Sequence, residues 1–248
     1  MENNLKIVIL AAGQGKRMGN PDLPKVLTPL AGKPMLGYLL DSVIFSGVDS
    51  SPVIVIGSMG DKVRQTFGPN NTYVLQPDQL GTGHAVLVAK DELKAATDVM
   101  VLLGDHPLVS SELIKNLTQT HFESGEVLTM ATVIPPDFES WRSEFKSFGR
   151  ILRDSQGKIT GMAEKKDATG KQLAIKELWP GYMCLKASWL WENLEKVGTD
   201  NAQGEYYLTD LVKIAVDQGY SIKTVEIEPK EALGVNTPEQ LEIIEKMV

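Results

Sequence analysis

Cysteine is almost missing from this chain. Only Cys184 stands among the 248 residues, so no intramolecular disulfide can form and a cytosolic address is favoured. An excess of positive charge is missing too. Asp and Glu number 32 against 25 Lys and Arg, a formal net charge of −7, which argues against nucleic acid as a partner because phosphate-backbone binding needs a basic face. Long apolar runs are also lacking. No stretch approaches the roughly 20 residues of a membrane span, and the opening MENNLKIVIL has neither the basic start nor the apolar length of a signal peptide. Repeats, low-complexity tracts and an obvious linker are absent. A hydrophobic fraction of 42% is ample for a core. The expectation is a soluble, cytoplasmic protein with no membrane or nucleic-acid partner, folded as one domain over residues 1–248.

What is present alternates between strand and helix. Leu5–Leu10, Pro52–Ile56, Tyr73–Leu75 and Asp98–Leu103 read as strands. Helical stretches fall at Asp61–Phe67, Thr82–Leu93 and Ser110–His121, with another after Pro34, taken as a first helical position, where Leu36, Leu39, Leu40, Val43 and Ile44 share a face. That order predicts a Rossmann-like, mostly parallel sheet flanked by helices. The second half is mixed. Val127–Ile134, Arg150–Leu152, Lys158–Ala163 and Ser221–Ile227 read as strands, the second and third of these pairing across Asp154–Gly157. Ala187–Glu195, Glu205–Asp217 and Pro238–Met247 read as helices, the last behind a Thr237–Gln240 capping box. A small mixed β lobe over roughly residues 135–200 is expected to sit on the main sheet.

Positive charge, scarce overall, gathers just after the first strand in Leu10–Pro34, LAAGQGKRMGNPDLPKVLTPLAGKP. Leu10, Ala11, Ala12 and Gly13 lead into it. Gly13 and Gly15 let backbone N–H groups crowd round an anion, and Lys16, Arg17, Lys25 and Lys33 follow, of which Arg17 and Lys25 are placed to neutralise phosphate. The string fits neither GxxxxGK[ST] nor GxGxxG. With PKVL and LAGKP at these offsets it resembles the signature of sugar-phosphate nucleotidylyltransferases, most closely the uridylyltransferase half of the bifunctional enzyme that makes UDP-N-acetylglucosamine.

The resemblance implies a nucleotide-diphospho-sugar transferase fold, UTP and a sugar-1-phosphate as partners, N-acetylglucosamine-1-phosphate as leading substrate and Mg²⁺ as cofactor. Asp105 in VLLGDHPL would be carried by a strand to the carboxyl edge of the sheet, as a metal ligand or, more simply, as a turn or N-cap residue for the next helix. The family pairs it with an asparagine in a GVN context, here Asn236. Gln76 and Gly81, within Gln76 and Leu80–Ala85, match the positions that contact uracil, and Thr82 opens a helix whose N-terminus favours nucleotide anions; from the residues alone, Gly81-Thr82-Gly83 could be only a turn and cap. Gly149 and Glu164 match positions that touch the sugar. Trp179 departs from the family, standing where an asparagine contacts the sugar. An indole stacks or donates one N–H and cannot accept, so Trp179 either stacks in the pocket or packs away from it. The resemblance spans the chain and stops where relatives continue into a hexapeptide-repeat acetyltransferase, so acetyl transfer is not expected and the oligomeric state is open.

Plainer readings cover the rest. His84 and His106 are structural or supporting, because an ionised phosphate needs no base to attack. His121 reads as surface, Cys184 as a buried small hydrophobe, Trp189 and Trp191 as packing, and Lys165, Lys166 and Asp167 as a solvated face.

Overall fold

The computed structural model describes residues 4–248. In chain order the elements are β1 (Leu5–Ala11), β2 (Pro29–Leu30), β3 (Lys33–Pro34), α1 (Met35–Ser46), β4 (Val53–Ile56), α2 (Gly60–Phe67), β5 (Thr72–Leu75), α3 (Thr82–Val88), α4 (Lys90–Leu93), β6 (Asp98–Leu103), α5 (Ser111–Ser124) and β7 (Leu128–Thr132). There follow β8 (Gly149–Arg153), β9 (Ile159–Ala163), α6 (Gly170–Leu173), β10 (Leu178–Trp179), β11 (Met183–Lys186), α7 (Ala187–Leu194), α8 (Asp210–Asp217), β12 (Lys223–Glu226) and α9 (Pro238–Glu245), with 3₁₀ turns at Lys16–Met18, Lys25–Leu27, Ser140–Ser147 and Pro229–Ala232.

The main sheet has seven strands in the order β12-β7-β11-β6-β1-β4-β5. All run parallel except β11, which is antiparallel to both neighbours. Side chains alternate across the pleat and so build two cores. Ile7, Ile9, Met100 and Leu102 face α1 and α5 through Leu36, Leu39, Val43, Ile114 and Leu117. Val8, Val53, Val55, Val99 and Val101 face α3 and α7 through Ala85, Val86, Leu190 and Leu194. Burial on both faces explains why these strands read as unbroken Val/Ile/Leu runs. The mostly parallel, helix-flanked sheet agrees with the sequence reading, and the small lobe is a three-stranded sheet in the order β10-β8-β9.

Several local readings change. Pro34 ends β3 with ψ 135° and precedes the helix; it belongs to a hairpin with β2 whose two turn residues, Ala31 and Gly32, both have positive φ. The predicted helix 82–93 breaks at Ala89, where α3 ends and α4 begins. The predicted helix 205–217 starts only at Asp210, because the preceding backbone is engaged elsewhere: Tyr206 N–H bonds the Leu80 carbonyl at 2.8 Å, and Leu208 N–H bonds Thr82 Oγ1 at 3.1 Å. His121 is not at the surface. It is 1% exposed, with Nε2 3.0 Å from Asp98 Oδ1 and Nδ1 2.9 Å from Thr129 Oγ1. The Thr237 capping box is present, its side chain accepting from Gln240 N–H.

Candidate active site

Three loops meet beyond the carboxyl ends of β1, β5 and β6, the edge of an open α/β sheet where ligands bind. β1 delivers Leu10, Ala11, Ala12 and Gly13 to a cavity of about 280 Å³, which Lys25, Gln76, Gly81, Thr82 and Asp105 also line. A wider mouth of about 1000 Å³ adjoins it, lined by Gly13, Gly15, Lys16, Arg17, Lys25 and Asn236. Gly15 has φ 62°, and a Cβ there would lie 2.7 Å from Lys25 Cβ, so the glycine both makes the turn and lets Lys25 pass beneath it. Of the four basic side chains, Lys33 lies elsewhere: it pairs with Asp41 and sits 4.8 Å from the Tyr38 ring centroid.

Asp105 is not a helix cap, since Ser110 caps α5 by accepting from Leu113 N–H at 3.0 Å. Its carboxylate pairs with Lys25 Nζ, and the same ammonium donates to Asn236 Oδ1 at 3.0 Å. The two loops are stitched together, with Val235 N–H bonding the Asp105 carbonyl at 2.9 Å. Gln240 Oε1 accepts from Asn236 N–H at 2.6 Å, tying that loop to α9. Burial works to raise the Asp105 pKa, but the Lys25 charge, its hydrogen bond and the remaining local interactions together outweigh it, and the carboxyl lies below its usual value.

His106 turns away from the cavity. Its Nδ1 lies 2.5 Å from Tyr182 OH, which donates to the Glu231 carbonyl at 2.8 Å, so the imidazole donates to the phenol. Burial drops the His106 pKa to about 4, leaving it neutral at physiological pH. Its ring fills the space where a side chain on Gly234 would stand. His106 is a buried support.

A carboxylate and an amide oxygen converging on one ammonium form a hard-oxygen cation site. The described residues hold no group of three or more His, Cys, Asp or Glu able to take a metal. Two protein oxygens, with phosphate and water completing the shell, is the pattern Mg²⁺ favours, so Asp105 and Asn236 fit that ion.

Gly81 and Gly83 are small for a reason the sequence did not show. A Cβ on Gly81 would lie 2.6 Å, and one on Gly83 3.0 Å, from the Tyr206 carbonyl oxygen, which accepts from Gly83 N–H at 2.8 Å. The approaching backbone is that of the Glu205–Leu208 strap; Gly81 lines the cavity as well. Gln79 and Glu205 line the cavity, and Lys166 and Gln203 line the mouth. Gln79, Gln203 and Glu205 carry no motif that marks them in the sequence, and Lys166 reads there only as part of a solvated face. Lys166 is exposed as expected, yet its Nζ bonds Gln203 Oε1 at 2.5 Å and overhangs the basic cradle rather than open solvent.

Gly149, Glu164 and Trp179 come together in the small lobe. Trp179 pairs with Gly149 across β10 and β8, and a Cβ on Gly149 would lie 3.7 Å from Glu164 Oε2. Burial, with Asp167 and Asp210 nearby, raises the Glu164 pKa despite a hydrogen bond with Thr209. None of the three lines either cavity above, but Gly181, just past Trp179, packs against Leu103 in the cavity wall. The Trp179 Nε1–H donates to the Tyr182 carbonyl at 3.3 Å, and the indole packs on the second core.

Residues 7–148 match the MobA-like NTP transferase domain, more than half of the chain. The chain belongs to that family. Curated relatives include the bifunctional protein GlmU of Psychrobacter sp. (strain PRwf-1), 42% identical over 99% of this chain and 52% of that protein. GlmU of Dechloromonas aromatica (strain RCB) is 41% identical over 98% of this chain and 51% of its own; that of Desulfotalea psychrophila is 38% identical over 95% and 68%. The chain thus spans about half the length of the first two relatives. Among solved structures, UDP-glucose pyrophosphorylase complexed with UDP-glucose superposes with a TM-score of 0.77 at 19% identity, covering 98% of this chain and 97% of the other. That likeness establishes the nucleotide-diphospho-sugar transferase fold. The family makes the chain a nucleotidyltransferase. No helix among the described residues is long and apolar enough to cross a membrane.

Proposed function

We propose that the protein transfers UMP from UTP to a sugar-1-phosphate, N-acetylglucosamine-1-phosphate in the first place, giving a UDP-sugar and pyrophosphate. The observation that carries this is the convergence of Asp105 and Asn236 on the Lys25 ammonium at the junction of an enclosed cavity and a basic mouth. A sugar-phosphate oxygen attacks the α-phosphorus of UTP; one P–O bond forms, the bond to the bridging oxygen breaks, and pyrophosphate leaves. The attacking oxygen is already ionised, so no base is needed, and the protein's part is positioning and charge neutralisation. Lys25 neutralises charge at the reacting phosphoryl group, while Arg17 and Lys16 hold the departing phosphates. Mg²⁺ held by Asp105 and Asn236 would supply further neutralisation of the phosphate oxygens.

Gln76 with Gly81 supports uracil as the base, and Gly149 with Glu164 supports a sugar in the lobe. The indole N–H of Trp179 is engaged with Tyr182, which favours a packing role for it and leaves the sugar's hydroxyls to Glu164. The single buried cysteine agrees with a cytoplasmic setting. Pyrophosphate release from UTP, dTTP, CTP and GTP against N-acetylglucosamine-1-phosphate and glucose-1-phosphate tests the reading. The UTP and N-acetylglucosamine-1-phosphate pair is expected to turn over fastest; binding of nucleotide without turnover by any pair would instead indicate a nucleotide-sugar binder.

A further inference from the structure

Gln76 is 3% exposed, and its amide nitrogen lies 3.2 Å from the Gly81 carbonyl oxygen and 3.1 Å from His84 Nδ1. A carbonyl oxygen only accepts, so the group turned toward Gly81 has to be the NH₂. One of its hydrogens goes to Gly81. The other goes to His84 Nδ1, which sets that imidazole in the tautomer protonated at Nε2. With both donors used inward, the amide oxygen is what Gln76 presents. Among the described residues the one buried side-chain polar atom without a partner is Arg150 Nε. Gln76 Oε1 has no protein partner either, and so it is open to solvent, on a residue that lines the cavity.

A bare acceptor at that wall discriminates between pyrimidines. It attracts the N3–H of uracil and repels the N3 lone pair of cytosine. Reversing the amide would invert this preference; it would set Oε1 against the Gly81 carbonyl, which cannot donate, and would oblige His84 to carry its proton on Nδ1 in place of Nε2. Gly81 belongs to the cavity wall and packs against the strap; His84 lines neither the cavity nor the mouth. We propose that His84 is a positioning residue for nucleotide selectivity, acting through Gln76 to hold its amide with the oxygen toward the base. This rests on the uridylyl reading above.

The test measures kcat/KM for UTP and for CTP with one sugar-1-phosphate, alongside calorimetric binding of each nucleotide and melting curves, in wild type, His84→Leu and His84→Asn. In His84→Leu one amide hydrogen is left unpaired and Gly81 alone holds the amide. The ratio of UTP to CTP in kcat/KM and in affinity is expected to fall about tenfold, the scale of one buried hydrogen bond. His84→Asn can place an amide oxygen near the position of Nδ1 and is expected to keep the ratio within about threefold of wild type. If His84→Leu does not fold, His84→Ala carries the same expectation. Equal loss for both nucleotides, an unchanged ratio in His84→Leu, or failure of His84→Asn to rescue would each overturn the role of His84. A wild-type protein that turns over CTP as well as UTP would overturn the uridylyl reading beneath it.

Discussion

The two ends of β6 each carry an aspartate with a histidine close by, put to opposite uses. At the start of the strand Asp98 is closed in: His121 bonds it through Nε2 at 3.0 Å, Thr97 Oγ1 adds a bond at 2.7 Å, and the other imidazole nitrogen goes to Thr129. Past its end Asp105 lines the cavity; the neutral His106 bonds Tyr182 through Nδ1, and its Nε2 stands 3.8 Å from Asp105 Oδ1, beyond hydrogen-bond reach. Lys25 is left as the cation facing Asp105. A satisfied, enclosed polar network contributes order. A carboxylate held by a single flexible ammonium at a cavity wall is available to a ligand.

Substitutions at the two ends should therefore separate activity from stability. The largest effect expected is at Asp105→Asn, where turnover should fall by about 10³-fold or more with little change in the melting curve, because charge neutralisation at the transferring phosphoryl group is worth several kcal/mol. Activity within about threefold of wild type at saturating Mg²⁺ would remove Asp105 from the chemistry. Lys25→Ala and Arg17→Ala should each lower kcat/KM by about 10²-fold. A change confined to the melting temperature in either variant would place that residue with the closed end rather than the open one.

The closed end should respond the other way. His121→Leu leaves Asp98 buried without its main partner and is expected to cost about 3 kcal/mol, or roughly 6–12 °C in melting temperature, at unchanged kcat/KM. Burial works to raise the Asp98 pKa, but hydrogen bonds from His121 and Thr97 outweigh it and lower the value. On acidification the unfolded aspartate takes up its proton first, near pH 4. The stabilisation from Asp98 is complete at neutral pH, fades as pH falls past that point, and is gone below the folded-state pKa. Melting curves from pH 7 to pH 3 should show a shallower acid decline in His121→Leu than in wild type. The smallest effect concerns Trp179→Asn, where loss of packed indole area should lower stability by about 1–2 kcal/mol and shift the KM for N-acetylglucosamine-1-phosphate less than about threefold. A tenfold gain in that KM would return position 179 to the sugar pocket.

The parts legible in the sequence were those written in contiguous residues. The apolar runs of β1, β4 and β6 signalled buried parallel strands, Thr237–Gln240 announced its own cap, and Leu10–Pro34 drew the cradle. The meeting of Asp105 with Asn236 was reachable through family resemblance alone, since the two stand 131 positions apart in the numbering. What escaped notice depends on such distant encounters without a motif to flag them. His121 looked like a surface residue because nothing nearby in sequence declares that Asp98 and Thr129 will surround it. Lys33 shares the charge of Lys25 but not its surroundings, since Asp41 and Tyr38 hold it outside the cradle. Gly81 and Gly83 read as a turn and cap, and nothing beside them in the sequence announces that the Tyr206 backbone will pack against both.

The position of β11 bears on how the molecule assembles. β6 and β7 follow one another in the chain, yet they never pair; residues Met183–Lys186 slide between them and run the opposite way. During synthesis both strands emerge well before their shared partner, each presenting an unpaired edge to the other across a vacant slot. Filling that slot also brings Tyr182 to His106 behind the Asp105 loop, and the later Tyr206 strap then closes on Leu80–Gly83. The strands of the βαβ half lie in the first part of the chain, but the cavity wall at Leu80–Gly83 is completed only by residues of the second half.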